Sequence, residues 1–161
     1  MTIPRFYVPG PWTSDRITFP EKASHHAMRV LRMRNGDEAE VFDGEGRTAR
    51  GRTEFSSEGT VLIAESYPEH GRESPLFITL AQAFVSPDKM EWITEKAVEA
   101  GASRIVFFPA ARSVTKLSGD KLTKRLEKLR ATAVSACEQC GRSRIPEIET
   151  FASAEAMLSG L

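Results

Sequence analysis

Net charge is missing from this sequence: 22 Lys and Arg are balanced by 22 Asp and Glu over 161 residues. No bulk field draws the chain to nucleic acid, so any contact with a polyanion must come from a local patch. Cysteine is nearly absent as well. Cys137 and Cys140 are the only two, in Cys-x-x-Cys spacing, and a single pair does not fill a four-ligand zinc site. Two thiols near a helix end in a reducing cytoplasm is the plainer reading. No apolar run approaches the roughly 20 residues that cross a bilayer, and the start Met1-Thr2-Ile3-Pro4-Arg5-Phe6 has no apolar signal core. A cytoplasmic protein outside the membrane is expected. Also lacking are a glycine-rich phosphate loop, a His-Glu-x-x-His pair and a Gly-x-Ser-x-Gly elbow, which sets aside three common chemistries. His25 and His26 are neighbours on a predicted helix, diverge by about 100°, and do not jointly chelate a metal. A surface or capping role is expected for at least one, and His70 falls in a predicted linker.

What is present is enough apolar content, 40%, to bury a core in one domain or two small ones. The first part reads as short strands broken by turns, over residues 5–8, 16–19, 38–43, 47–55 and 59–66, the pattern of a small barrel. A half-polar helix over 20–33 interrupts them and stops at Asn35-Gly36. Pro68 to Pro75 is linker chemistry, which predicts domains of 1–72 and 73–161. Beyond it, Leu76 to Val85 reads as a strand buried on both faces. A helix opens at Ser86-Pro87-Asp88, with Asp88 and Glu91 spaced as a capping box, and ends at Gly101. Arg104 to Phe108 is a second buried strand, giving the crossover unit of a parallel α/β domain. Leu122, Leu126, Leu129 and Ala133 make the buried stripe of a long helix whose Lys121, Lys124, Arg125 and Lys128 point elsewhere. A third strand over 146–151 and a short helix from Ser153 follow.

The basic residues are unevenly placed. Residues 112–130 hold seven Lys and Arg against two Asp and Glu, and Cys137 to Pro146 sets Glu138, Gln139, Arg142 and Arg144 just beyond that helix. Such a run suits a polyanion or a partner chain, or is a solvated face. Arg5, Arg29, Arg32 and Arg34 gather on the strand-rich part, and guanidinium groups fork onto phosphate or stack on unpaired bases. Together they favour RNA contact.

Several separated motifs carry a resemblance. His26-Ala27-Met28-Arg29-Val30-Leu31-Arg32, Thr79-Leu80-Ala81-Gln82-Ala83, Asp88-Lys89-Met90-Glu91 with Glu95 to Gly101, Arg112-Ser113-Val114, and Ala136 to Pro146 stand in one family's order. The chain resembles the ribosomal RNA small subunit methyltransferase E family, which makes N3-methyluridine in 16S rRNA. The resemblance implies an N-terminal PUA-like β-barrel that binds RNA, then a SPOUT-type α/β domain with a parallel sheet and a trefoil knot. It implies a homodimer using S-adenosylmethionine to methylate uridine N3 in the small ribosomal subunit. It puts Arg5 at the reacting base as the catalytic guanidinium, and Arg29, Arg32, Arg34, Arg112 and Arg142 on RNA. Arg112, Glu138, Gln139 and Arg142 would line the catalytic-domain side or brace the dimer, with an internal salt-bridge network at the helix end as the alternative. The family's Gly-Pro-Glu-Gly-Gly loop and Leu-Arg-x-Glu-Thr segment do not occur before Leu161. The expectation is therefore a piece with an incomplete α/β domain and no cofactor ligands, or a non-catalytic RNA-binding module.

Overall fold

Alternating apolar and polar residues in the first part of the chain produce five short strands, because every second side chain must leave water. The structure, a computed structural model, describes residues 3–69, 73–110 and 118–160. His70 and Arg112 lie outside the described residues. The chain divides into two units, Met1–Glu73 with Gly141–Arg144, and Ser74–Cys140 with Ile145–Leu161.

In the first unit, β1 (Arg5–Tyr7), β2 (Arg16–Thr18), β3 (Glu38–Phe42), β4 (Thr48–Ser56) and β5 (Gly59–Ser66) form one sheet ordered β1-β3-β4-β5-β2. Only β1 and β3 run parallel, with Phe6 opposite Val41; the other pairs are antiparallel. The inward residues Phe6, Val8, Ile17, Phe19, Val41 and Leu62 make the core, each large one contributing about 2 kcal/mol by leaving water. Gly51 sits at a register shift of β4, where a Cβ would lie 1.8 Å from the Ile63 carbonyl oxygen. Only glycine permits that approach.

The predicted helix over 20–33 is shorter and more irregular than its pattern suggested. An α-helix, α1 (Glu21–His25), gives way to a π-helical turn at His26–Val30. Leu31 N–H donates to the His26 carbonyl and Met33 N–H to that of Ala27, both 3.0 Å, and Arg32 then takes a left-handed φ of 54°. The helical segment thus stops before Asn35-Gly36.

The second unit stacks β6 (Thr79–Ala83), β7 (Arg104–Phe108) and β8 (Glu147–Thr150) in that order, all parallel. Ile105, Val106 and Phe107 of the central strand are wholly buried. Among the described residues strand β6 pairs with β7 alone, and it is shorter than predicted. Leu76 and Phe77, read as part of a doubly buried strand, are 66% and 73% exposed instead. Helix α2 (Pro87–Glu99) buries Met90, Thr94, Ala97 and Val98. Its N-cap is Ser86 with Pro87 in the first turn, and no side chain caps it, so the predicted capping box does not form. Helix α3 (Gly119–Cys140) packs on α2 and buries Leu129, Ala133, Ala136 and Cys137, and α4 (Ala154–Gly160) closes the described chain. No helix among the described residues is long and apolar enough to cross a membrane.

Candidate nucleic-acid interface

The π-helical turn is held from beneath and open above. Ala27 is fully buried, and the half-buried His26 ring meets Phe6 edge-on at 5.9 Å. The buried Ser24 and Thr60 hydroxyls share a 2.6 Å hydrogen bond that ties α1 to β5. On the far side, Arg34 N–H donates to Asp37 Oδ2 at 2.7 Å. Asn35 Oδ1 accepts Phe55 N–H at 2.6 Å, and the buried Thr53 hydroxyl reaches the Arg34 and Asp37 carbonyls. The backbone is therefore fixed while Met28, Arg29, Val30, Leu31, Arg32 and Arg34 face solvent. A π-helical insertion and a left-handed non-glycine residue each cost stability, and such features concentrate where a surface has work to do.

Ion pairing separates these arginines from Arg16, Arg50 and Arg52 of the same unit. Arg16 pairs with Glu54 at 3.0 Å, Arg50 with Glu38 at 2.8 Å and Arg52 with Glu65 at 3.3 Å, as neighbours on a solvated sheet do. Arg29, Arg32 and Arg34 have no carboxylate partner among the described residues. They are exposed positive charges clustered on one turn, interleaved with Met28, Val30 and Leu31, which are 37%, 62% and 44% exposed.

Arg5 and Arg142 stand in a different setting, enclosed among internal partners. Arg5 Nε lies 2.5 Å from Glu40 Oε1, its Nη1 donates to the Arg142 carbonyl at 3.0 Å, and its Nη2 to Ser143 Oγ at 3.1 Å. The guanidinium also stacks 4.8 Å from the Phe42 ring centre. Arg142 Nε and Nη2 both donate to Glu73 Oε2, at 3.0 and 2.9 Å. Glu73 Oε1 accepts Ser143 N–H at 2.8 Å and Arg144 N–H at 3.0 Å. With side-chain exposures of 11% and 7%, Arg5 and Arg142 form a clamp on Gly141–Arg144. Burial pushes the Glu73 carboxyl up, but the Arg144 and Ser143 N–H donors and the Arg142 guanidinium outweigh it and hold the group below its ordinary value. Sequence reasoning missed Glu73 because it sits in a stretch read as linker. Its one visible signal was a carboxylate among turn-forming residues.

Of the remaining expected residues, Glu138 is half-buried and Gln139 exposed on the last turn of α3, which stops at Gly141 with a φ of 84°. A cleft of about 500 Å³ in the first unit is lined by Arg47 and Arg144 but also by Glu69 and Glu73, with Tyr67 beside them. Its carboxylates offset its guanidinium groups, so it does not suit a polyanion. Among the described residues no group of three or more His, Cys, Asp or Glu could hold a metal ion.

A mixed sheet carrying a basic turn, followed by a parallel α/β unit, is the architecture of a PUA-like domain joined to a SPOUT-type domain. The comparisons agree. The family description RNA methyltransferase domain matches residues 72–161, and RNA methyltransferase PUA domain matches residues 19–64. The chain belongs to the RNA methyltransferase domain family. Its relatives include proteins named Ribosomal RNA small subunit methyltransferase E, the family that its motifs resemble. The one from Bacillus subtilis is 33% identical over 136 residues, 83% of this chain and 53% of that protein. One from Mycobacterium bovis is 35% identical over 77% of this chain and 47% of its own. The chain thus spans about half the length of these relatives. A solved structure from Legionella pneumophila in complex with the bound cofactor SAM superposes with a TM-score of 0.92 at 28% identity, over 100% of this chain and 67% of its own. The methyltransferase E of Neisseria gonorrhoeae, bound to S-adenosyl methionine, gives 0.82 at 30% identity over 92% and 63%.

Proposed function

We propose that this chain supplies the RNA-binding part, and a portion of the methyltransferase part, of an enzyme that methylates uridine N3 in 16S rRNA. Residues 1–72 are the RNA-binding domain in this reading, and 73–161 belong to the catalytic domain. The observation that carries it is the turn of Arg29, Arg32 and Arg34, three exposed guanidinium groups without internal carboxylate partners on a rigid frame. Guanidinium groups so placed neutralise phosphates, and the apolar side chains between them give an unstacked base something to lie against. Arg5 and Arg142 are assigned to the framework, where they fix the segment after α3. Setting Arg5 there withdraws it from the reacting base.

In this reading S-adenosylmethionine, bound in the two solved neighbours, is the methyl donor, and the enzyme acts as a homodimer on small-subunit rRNA in the cytoplasm. In parallel α/β units a cofactor lies beyond the carboxyl ends of the strands. The described residues there, Phe84 to Ser86, Pro109 and Ala110, and Phe151 to Ser153, are apolar or carry a single hydroxyl. None offers a carboxylate for the cofactor's ribose hydroxyls, and none is assigned to holding it.

The test is charge reversal on the turn. Arg29→Glu with Arg32→Glu should weaken binding of a fluorescein-labelled rRNA hairpin at least tenfold at low salt, a loss of about 1.4 kcal/mol or more, with an unchanged thermal melt. Equal affinity of the reversed and original proteins would remove the turn as the RNA platform.

A further inference from the structure

Helix α3 carries a feature that the turn does not explain. Counting about 100° per residue, Lys121, Lys124, Arg125 and Lys128 fall within one arc of about 100°, and Thr132, Ser135 and Gln139 extend the same arc to the helix end. The buried residues Leu129, Ala133, Ala136 and Cys137 occupy a separate arc. The helix's three carboxylates, Asp120, Glu127 and Glu138, lie outside the cationic one. Lys121, Lys124, Lys128, Ser135 and Gln139 are exposed. From Lys121 to Gln139 the strip runs about 27 Å at 1.5 Å per residue.

The arrangement costs the helix stability. Lys121 with Arg125 and Lys124 with Lys128 are like-charge pairs four residues apart, each unfavourable by about 0.2–0.5 kcal/mol. Lys121 and Lys124 also stand in the first turns, where the positive end of the helix dipole opposes them. A merely solvated face alternates signs along these spacings. Among the described residues relief comes from one carboxylate. Glu91 of α2 lies 3.0 Å from Arg125 Nη1 and 3.7 Å from Lys128 Nζ, while Lys121 and Lys124 have no ion-pair partner among the described residues. Four cations against one carboxylate leave a positive strip ending in hydroxyl and amide groups, the set that follows a phosphodiester backbone without reading bases.

We infer that this face of α3 is a second RNA contact, binding backbone phosphates independently of sequence. The inference rests on the RNA-binding reading of the first unit and adds a surface to it. Its test compares the chain, the variant Lys121→Gln with Lys124→Gln, and the variant Arg29→Glu with Arg32→Glu. Each is titrated by anisotropy with a fluorescein-labelled RNA hairpin bearing unpaired loop uridines, over about 50–200 mM salt. Loss of two phosphate contacts should flatten the slope of log affinity against log salt by about 1.4 for single-stranded contacts. The lysine variant's melting temperature in the absence of RNA should stay level or rise, because repulsion is removed. An unchanged slope for the lysine variant, with binding still lost in the arginine variant, overturns the strip alone. Absence of binding by the unaltered chain overturns the turn and the strip together.

Discussion

Replacing Arg142 by alanine tests whether the clamp is a structural joint. The guanidinium makes two charge-assisted bonds to Glu73 Oε2, at 3.0 and 2.9 Å, and such bonds contribute about 1.5–3 kcal/mol each when enclosed. Two facts reduce the sum. Glu73 keeps the N–H donors of Ser143 and Arg144, and its side chain is 21% exposed, so water replaces part of the lost guanidinium. The expected loss is about 2–3 kcal/mol, below the 3–5 kcal/mol or so of a fully enclosed broken pair. The chain has two tryptophans, Trp12 in the first unit and Trp92 in the second. Trp12 packs on the first unit's core and donates from Nε1 to the Val8 carbonyl at 3.1 Å. In a Trp92→Phe background its emission follows the first unit alone, which avoids treating two units as one transition. With an m-value of about 1.5 kcal/mol/M in urea, the loss moves the midpoint down by about 1.3–2 M. A shift below about 0.3 M with unchanged m would show that the clamp holds nothing.

Acid should find the same joint. The folded Glu73 carboxyl titrates below its ordinary 4.5, so its contribution is fully present above that value and drains away as pH falls through the folded value. The urea midpoint of the first unit should fall below about pH 4.5, and Glu73→Gln should flatten that fall; parallel profiles would contradict the assignment. In the second unit, the wholly buried Thr94 hydroxyl has no hydrogen-bond partner among the described residues. Thr94→Val removes that stranded group at constant shape, and calorimetry should show a gain of about 1 kcal/mol; a loss would mean that the hydroxyl has a partner.

How much could be read from the sequence depended on how local each cause was. Strand alternation and the long helix's apolar stripe follow from nearest neighbours along the chain, and they mark β4, β5, β7 and α3 correctly. Leu76 to Val85 looked doubly buried because its residues are apolar, but burial needs elements packed on both faces, and Leu76 and Phe77 lie before β6 and stay exposed. The helix beginning at Pro20 had a 3.6-residue pattern, yet burying Ala27 and seating His26 on Phe6 accompany a wider turn. The arginines taught most. Arg5 and Arg29 are the same side chain in a sequence, and their difference comes from Glu40, Arg142 and Ser143, residues 35 to 138 positions from Arg5. No local pattern encodes that. The motif resemblance identified the family because its segments are spread over most of the chain, whereas the division of labour among its cations became visible only with burial.

Ultraviolet cross-linking of the unaltered chain to 16S rRNA fragments, followed by peptide mass spectrometry, tests the central claim most directly. The account predicts cross-links concentrated in the peptides containing Met28 to Arg34. RNA attached mainly to the peptides of Arg16, Arg50 and Arg52, with the turn unmodified, would contradict it.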